Sequence, residues 1–317
     1  MNDDSSRPVD AAWQGYIDAI RDRIRAALRA EVDALSFPGR MLVLLTGSGQ
    51  VNRGVLTTLV GQAGTPFSGE EAGSDPDGVL TRLAVLVELV HRASVIHDDI
   101  QDGDLLRRGV PTFHVAEGVP MAIAVADVLL SRAFTLAEEV GIAAVLEDTI
   151  ATYQRMSRGQ LMDFAGLDDV PGADWTLPSE LKTGSLVELA FRCGAHAAGT
   201  ASDLADAWGE VGRLCGSAFQ MVNDLRNVRA QEDRQATVTD LAAGRFSAIR
   251  LYSEQVFGEN PADSPGRLAA VCDAVEQEVH RRMAAATGLL ASISPPGFAS
   301  RVLTILTSSS ASMRFAL

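Results

Sequence analysis

The sequence predicts an all-α protein, a single-domain bundle of about ten or more helices spanning residues 1–317. Three observations point there. Apolar residues recur at helical spacing along most of the chain, while the period-two alternation of strands is nearly absent. A length of 317 residues with 47% hydrophobic content can bury one large core. No repeat, low-complexity tract or linker-like stretch divides the chain.

Taken in order, residues 1–8 read as a disordered polar tail, followed by an amphipathic helix over 9–34 that carries Trp13, Ile17, Ile20, Ile24 and Leu28 on one stripe. Gly47-Ser48-Gly49 breaks the chain before a helix over 51–63, and the stretch from Pro66 to Gly78 breaks it again. The helix over 77–101 contains LAVLVELVHRASVI (Leu83–Ile96), too continuously apolar for a surface position. Gly103 to Pro111 ends it. Helices follow over 117–138 and 142–164, then after Pro171-Gly172 over 179–199, 203–230, 246–257 and 264–290, and after Pro295-Pro296-Gly297 over 297–307. No uncharged run reaches 18 residues, so the reading gives no membrane-spanning candidate. The start MNDDSSRPVD is acidic and polar, unlike a signal peptide, which predicts a cytoplasmic location.

The net charge of −14 argues against a general nucleic-acid binder and repels polyanions at long range. Any phosphate ligand must be captured by local cations. Cys193, Cys215 and Cys272 are an odd number in helical contexts, which suits reduced core thiols better than disulfides or metal ligands. Lys182 is the single lysine of the chain.

The most informative stretch is His97-Asp98-Asp99-Ile100-Gln101-Asp102, followed by Arg107-Arg108-Gly109. On a helix, Asp98 and Asp102 share a face at i and i+4, with Asp99 beside them. Unpaired carboxylates at the end of a core helix are expensive unless something neutralises them. They suit Mg²⁺, which takes one or two carboxylates together with water and phosphate oxygens. Arg107 and Arg108 add forked donors matched to phosphate. The pattern reads as a metal-diphosphate site; a solvated acidic helix end is the plain alternative.

These residues, together with Glu88-Leu89-Val90-His91 and Leu106-Arg107-Arg108-Gly109-Val110-Pro111-Thr112-Phe113-His114, resemble the first aspartate-rich region of trans-isoprenyl diphosphate synthases, the polyprenyl synthetase family. Gly159-Gln160-x-x-Asp163 resembles its GQxxD, Lys182-Thr183-Gly184 its KT motif, and Phe219-Gln220-x-x-Asn223-Asp224-x-x-Asn227 its FQxxDDxxD. The resemblance implies the isoprenoid synthase type I fold around a deep central cavity. It also implies Mg²⁺, three ions in all, held by Asp98, Asp99 and Asp102 on one side and by Asn223, Asp224 and Asn227 on the other. Arg107 and Lys182 would hold an allylic diphosphate, and Arg53, His91 and Arg108 the diphosphate of isopentenyl diphosphate. Thr183, Gln160, Asp163 and Gln220 would line the site, and Asp98, Asp99, Asp102, Lys182 and Asp224 would carry the chemistry. A homodimer is implied, without stable membrane insertion or nucleic-acid binding.

Two departures qualify the match. Asn223 and Asn227 stand where the family has aspartate, and neutral amides recover less Coulomb energy from a cation than carboxylates do. Asn223, Asn227 and Gln231 also approach the metal triad spacing of class I terpene cyclases, with Gln where those have Glu. In Ser48-Gly49-Gln50-Val51-Asn52-Arg53-Gly54, Gln50 replaces the lysine of the family's isopentenyl diphosphate segment, a loss worth about 1.5–3 kcal/mol; a mere glycine-rich turn is the alternative there. Small Ala93 and Ser94, one turn before the first motif, predict a prenyl tunnel open to C15–C20 or longer chains, with Met121 and Ala122 as an alternative floor.

The leading expectation is therefore a prenyltransferase acting on an allylic prenyl diphosphate and isopentenyl diphosphate or a less usual acceptor. A class I terpene cyclase on the same fold is the alternative, with Trp208 and Phe219 as its candidate aromatics. A non-catalytic subunit of a heteromeric synthase comes next. A metal phosphohydrolase using His97-Asp98 lacks a suitably spaced second histidine.

Overall fold

The computed structural model of the chain describes residues 11–47, 50–64, 75, 77–165, 174–230, 247–258, 260–261 and 265–308. Among them the protein is all-α apart from one small hairpin. The chain divides into two compact units, one comprising Met1–Leu146 with Cys193–Gly199 and the other Glu147–Arg192 with Thr200–Leu317.

In the first unit, α1 (Ala11–Ala34) buries the expected stripe of Trp13, Ile17, Ile20, Ile24 and Leu28, extended by Val32. Cutting one such fully buried aliphatic side chain back to alanine costs about 2–5 kcal/mol. A short α2 (Gly39–Thr46) follows where the sequence predicts no element, because eight residues carry little periodicity. Helix α3 (Asn52–Gly61) and helix α4 (Val79–Gln101) pack together, and the buried Glu88 of α4 accepts the Gly54 N–H of α3 at 3.1 Å. Every residue of α4 from Leu83 to Val90 is buried, since α1, α3 and α6 (Val119–Val140) surround it. Its run therefore reads as continuously apolar. The Asp75 carboxylate caps α4 by accepting the Leu80 and Thr81 N–H groups at 3.1 and 2.7 Å.

Val51, just before α3, sits buried with φ 45° and ψ 36°, a left-handed conformation that is strained for a β-branched residue.

Beyond α4 the structure departs from the expected pattern. Strands β1 (Leu106–Arg107) and β2 (Val110–Pro111) pair antiparallel around Arg108-Gly109, whose positive φ values of 54° and 79° give the two-residue turn that matches strand twist. Thr112 closes the base of this hairpin, its N–H reaching Leu105 O at 3.1 Å and its hydroxyl donating to Asp104 O at 2.7 Å. The helix expected from residue 117 begins as α5 (Phe113–Glu117), separated from α6 by Gly118 at φ 86° and by Pro120 in the first turn of α6. Among the described helices α6 is long and apolar enough to cross a membrane, with 39% of its most apolar window buried. Asp127 and Arg132 interrupt its apolar run, so the sequence shows no uncharged stretch of 18 residues there. Arg132 pairs with Glu31 and Glu139, both at 2.7 Å.

In the second unit, α7 (Ala143–Ala165, entering from Glu147), α8 (Leu177–Ser179), a π-helical turn (Glu180–Gly184), α9 (Ser185–Ala197, up to Arg192), α10 (Ser202–Ala230), α11 (Ser247–Phe257), α12 (Leu268–Ile293) and α13 (Phe298–Ser308) make the bundle. Helix α10 is its axis, packed along α12 and against the π turn. Trp208, offered as a cation-steering aromatic, is instead a core residue 3% exposed between Phe191 and Phe298, at centroid distances of 6.2 and 5.9 Å. The three cysteines are buried and unbridged.

Candidate functional site

The first group of site residues is built on the C-terminal turn of α4 and the hairpin after it. Asp98 and Asp102 share a face, and Asp102 ends the helix with its N–H on Asp98 O at 2.8 Å. Asp99 is 3% exposed, and its Oδ1 accepts Arg107 Nε at 2.7 Å and Nη2 at 2.5 Å. Burial pushes the Asp99 pKa up, and the Arg107 hydrogen bond opposes it. Three carboxylates at the negative end of a helix dipole call for a cation. With Asp99 turned to Arg107, no three acidic, histidine or cysteine side chains among the described residues converge as a finished metal cage. Asp98 and Asp102 remain together on one face, the one or two carboxylates that Mg²⁺ takes when water and phosphate complete its shell. The donor set therefore fits Mg²⁺ in company with a phosphate ligand.

Around His91, about two turns upstream of Asp98 on α4, positive charge collects. The imidazole pKa lies well below its ordinary value, because burial disfavours the charged form and Arg53, Arg92, Arg107 and Arg108 repel a proton. Burial and Arg108 also lower the Arg53 pKa, against the attraction of Glu88. The buried Nε atoms of Arg53 and Arg92 have no hydrogen-bond partner in the protein. A neutral histidine among four guanidinium groups, two of them with orphaned donors, has the chemistry to take up a multiply charged anion. Arg92 is the member that sequence reasoning missed; an arginine inside the apolar run of α4 was the available signal. Gln50 lies exposed, its Oε1 accepting Asn52 Nδ2 at 3.0 Å. Ala93 is fully buried, Ser94 Oγ donates to His91 O at 2.9 Å, and Met121 is exposed.

The second group lies in the other unit, on α7, the π turn, α10 and α11. Lys182 Nζ stands 3.5 Å from Asp163 Oδ2. Thr183 Oγ1 donates to Gln220 Oε1 at 2.9 Å, and Gln220 Nε2 donates to Asp224 Oδ1 at 3.1 Å. The other Asp224 oxygen accepts the Ala248 N–H at 3.0 Å, capping α11. Burial pushes the Asp224 pKa up to about 7, against the Ala248 N–H, with the Asp163 charge adding to the rise. Asn223 is half-buried and Asn227 exposed, while Gln231 and its neighbour Glu232 fall outside the described residues. Both oxygens of the one acid left in this motif are thus engaged with protein donors, which competes with the metal role expected of Asp224. Gln160 is buried with an unpartnered Oε1. Arg250, another residue the sequence reading left out, donates to Asp163 O at 2.8 Å and ties α11 to the end of α7.

Comparison with known proteins follows the same lines. A family model described as polyprenyl synthetase matches residues 39–277. A geranylgeranyl diphosphate synthase of Methanosarcina mazei is 34% identical over 220 residues, covering 65% of this chain and 68% of the relative. A geranylfarnesyl diphosphate synthase of Aeropyrum pernix is 33% identical over 235 residues, covering 69% and 71%. Among solved structures, a geranylgeranyl pyrophosphate synthase from Lactobacillus brevis aligns with TM-score 0.76 at 19% identity over 94% of this chain and 97% of its own. A heptaprenyl diphosphate synthase from Staphylococcus aureus aligns at 0.75 and 18% identity over 92% and 97%. These structural likenesses identify the fold.

Proposed function

The chain belongs to the polyprenyl synthetase family and is a prenyltransferase, and from that premise we propose that it elongates an allylic diphosphate with isopentenyl diphosphate. The observation that carries this reading is the arginine cluster around neutral His91. Elongation needs a second diphosphate held apart from the one that leaves, whereas an intramolecular cyclase has no second diphosphate to hold. Trp208, buried in the core, withdraws one of the two candidate aromatics from the cyclase reading and leaves the half-buried Phe219.

In this reading Arg53, His91, Arg92 and Arg108 hold the acceptor diphosphate, and the unpartnered Nε donors of Arg53 and Arg92 find their acceptors there. Neutral His91 donates one hydrogen bond without adding to the charge. Lys182 is the donor to an allylic diphosphate in the second unit, where Thr183, Gln160, Asp163 and Gln220 line its site, and Arg107 is the corresponding donor in the first. Asp98 and Asp102, with Asp99 beside them, would hold Mg²⁺, which supplies charge that stabilises the departing diphosphate. Asn223, Asp224 and Asn227 would contribute a weaker share of a three-ion set, since two of them are neutral. The small Ala93 and Ser94 leave room for C15–C20 or longer chains. Two copies of the chain pair through the exposed flank of α6 where Val119 and Ile123, one turn apart, are each more than 40% exposed.

The test is product analysis by mass spectrometry after incubation with Mg²⁺ and C10, C15 or C20 allylic diphosphates, with and without isopentenyl diphosphate. Longer diphosphates formed only when it is present support elongation. Hydrocarbons or alcohols formed without it refute this reading in favour of cyclisation, and turnover of neither points to a non-catalytic subunit.

A further inference from the structure

The π turn Glu180–Gly184, which presents Lys182 and Thr183, is held by a charged network that the motifs do not contain. Arg282, on α12 and 3% exposed, donates Nη2 to Glu180 Oε1 at 2.7 Å, Nε to Glu278 Oε1 at 2.6 Å and Nη1 to Ser217 Oγ at 2.8 Å. The other Glu180 oxygen pairs with Arg213 of α10, whose Nε and Nη2 hold Glu210 at 2.8 and 2.6 Å. Glu180 is thereby gripped from two helices at once. The rest of the turn is wedged backbone against backbone. A Cβ on Gly159 of α7 would come within 2.7 Å of Lys182 N, and one on Gly216 of α10 within 2.9 Å of both Gly184 Cα and Thr183 O.

Buried ion pairs repay their desolvation poorly, and apolar replacements of similar volume are often as stable. A network of this kind is therefore better explained by the register it imposes than by the stability it adds. Single π turns inside helices concentrate at functional positions. Here the turn has an alternative, the regular α-helical path, which would rotate Lys182 and Thr183 away from their present partners Asp163 and Gln220.

We propose that the clamp of Arg282 and Arg213 on Glu180 is a positioning device that locks the π turn, so that Arg282 governs allylic diphosphate affinity through Lys182 and Thr183 without touching the substrate. This rests on the allylic role given above to Lys182.

The experiment uses the full chain with Glu180→Gln, Arg282→Met and Arg282→Lys, alone and combined with Lys182→Ala. It reads steady-state KM for each substrate, together with inorganic pyrophosphate binding by calorimetry. Glu180→Gln and Arg282→Met should raise the allylic KM about tenfold or more, since displacements of about 1 Å are that expensive, and weaken pyrophosphate binding in parallel. The KM for isopentenyl diphosphate should stay within about twofold, and Arg282→Lys should recover most of the loss. In the Lys182→Ala background, Arg282→Met should add less than about twofold, because the two act through one contact. Should Arg282→Met fail to fold, isosteric Glu180→Gln carries the same comparison. A lowered melting temperature with unchanged KM values, or full additivity with Lys182→Ala, overturns the clamp. If Lys182→Ala alone leaves the allylic KM unchanged, the role given to Lys182 falls, and the clamp with it.

Discussion

At His91 the protein keeps an imidazole neutral by burying it among fixed positive charges. Its folded pKa lies below the unfolded value of about 6.5, so as pH falls past that value the unfolded chain takes up a proton that the folded chain refuses. Stability is therefore complete above about pH 6.5 and declines below it, by up to about 1.4 kcal/mol per pH unit until the folded pKa is reached. Urea titrations at stepped pH should show this decline in the native protein and a flatter one in His91→Gln; equal slopes would exclude His91 as its source. Arg92→Gln should raise the KM for isopentenyl diphosphate by the equivalent of about 1.5–3 kcal/mol and leave the allylic KM unchanged, as read by initial rates with each substrate varied. Residue type and spacing put Asp98 and Asp102 on one face, and the family resemblance singled out Arg53, His91 and Arg108. Neither could disclose that Asp99 is spent on Arg107 or that Asp224 caps α11. The first depends on how a two-residue turn folds Arg107 back over eight residues, and the second joins residues 24 apart in the chain, so neither shows in a helical period.

Element boundaries were legible wherever a long amphipathic period ran between breakers, as in α1 and α10, and failed where the period was short or locally reset. Eight-residue α2 had too few turns, and the hairpin of Leu106 to Pro111 had too few residues to show alternation. The π turn was read as plain helix because inserting one residue into a turn leaves composition untouched. Its seat on α7 provides a test at this scale. Gly159→Ala places a methyl group 2.7 Å from Lys182 N, where only backbone movement relieves the overlap. It should destabilise the protein by about 1–3 kcal/mol in urea and raise the allylic KM. An unchanged midpoint would mean that α7 and the π turn can separate freely.

At the scale of the molecule the all-helical class followed from composition and periodicity alone, while its detailed helix packing did not. On α6 the exposed Val119 and Ile123 lie one turn apart on one flank, beside a face that is core against α4. Val119→Asp with Ile123→Asp should convert a dimer into a monomer by light scattering coupled to size exclusion, with helical content retained; a dimer that survives both changes would move the interface elsewhere. Val51 connects this scale to the site, because it holds a left-handed backbone two residues before Arg53. Such a conformation costs about 1–3 kcal/mol, a sizeable part of a folding free energy of about 5–15 kcal/mol. Laboratory selection for heat tolerance would therefore find an accessible gain at position 51. The variants it enriched would relax the segment that aims Arg53, exchanging grip on the acceptor for endurance.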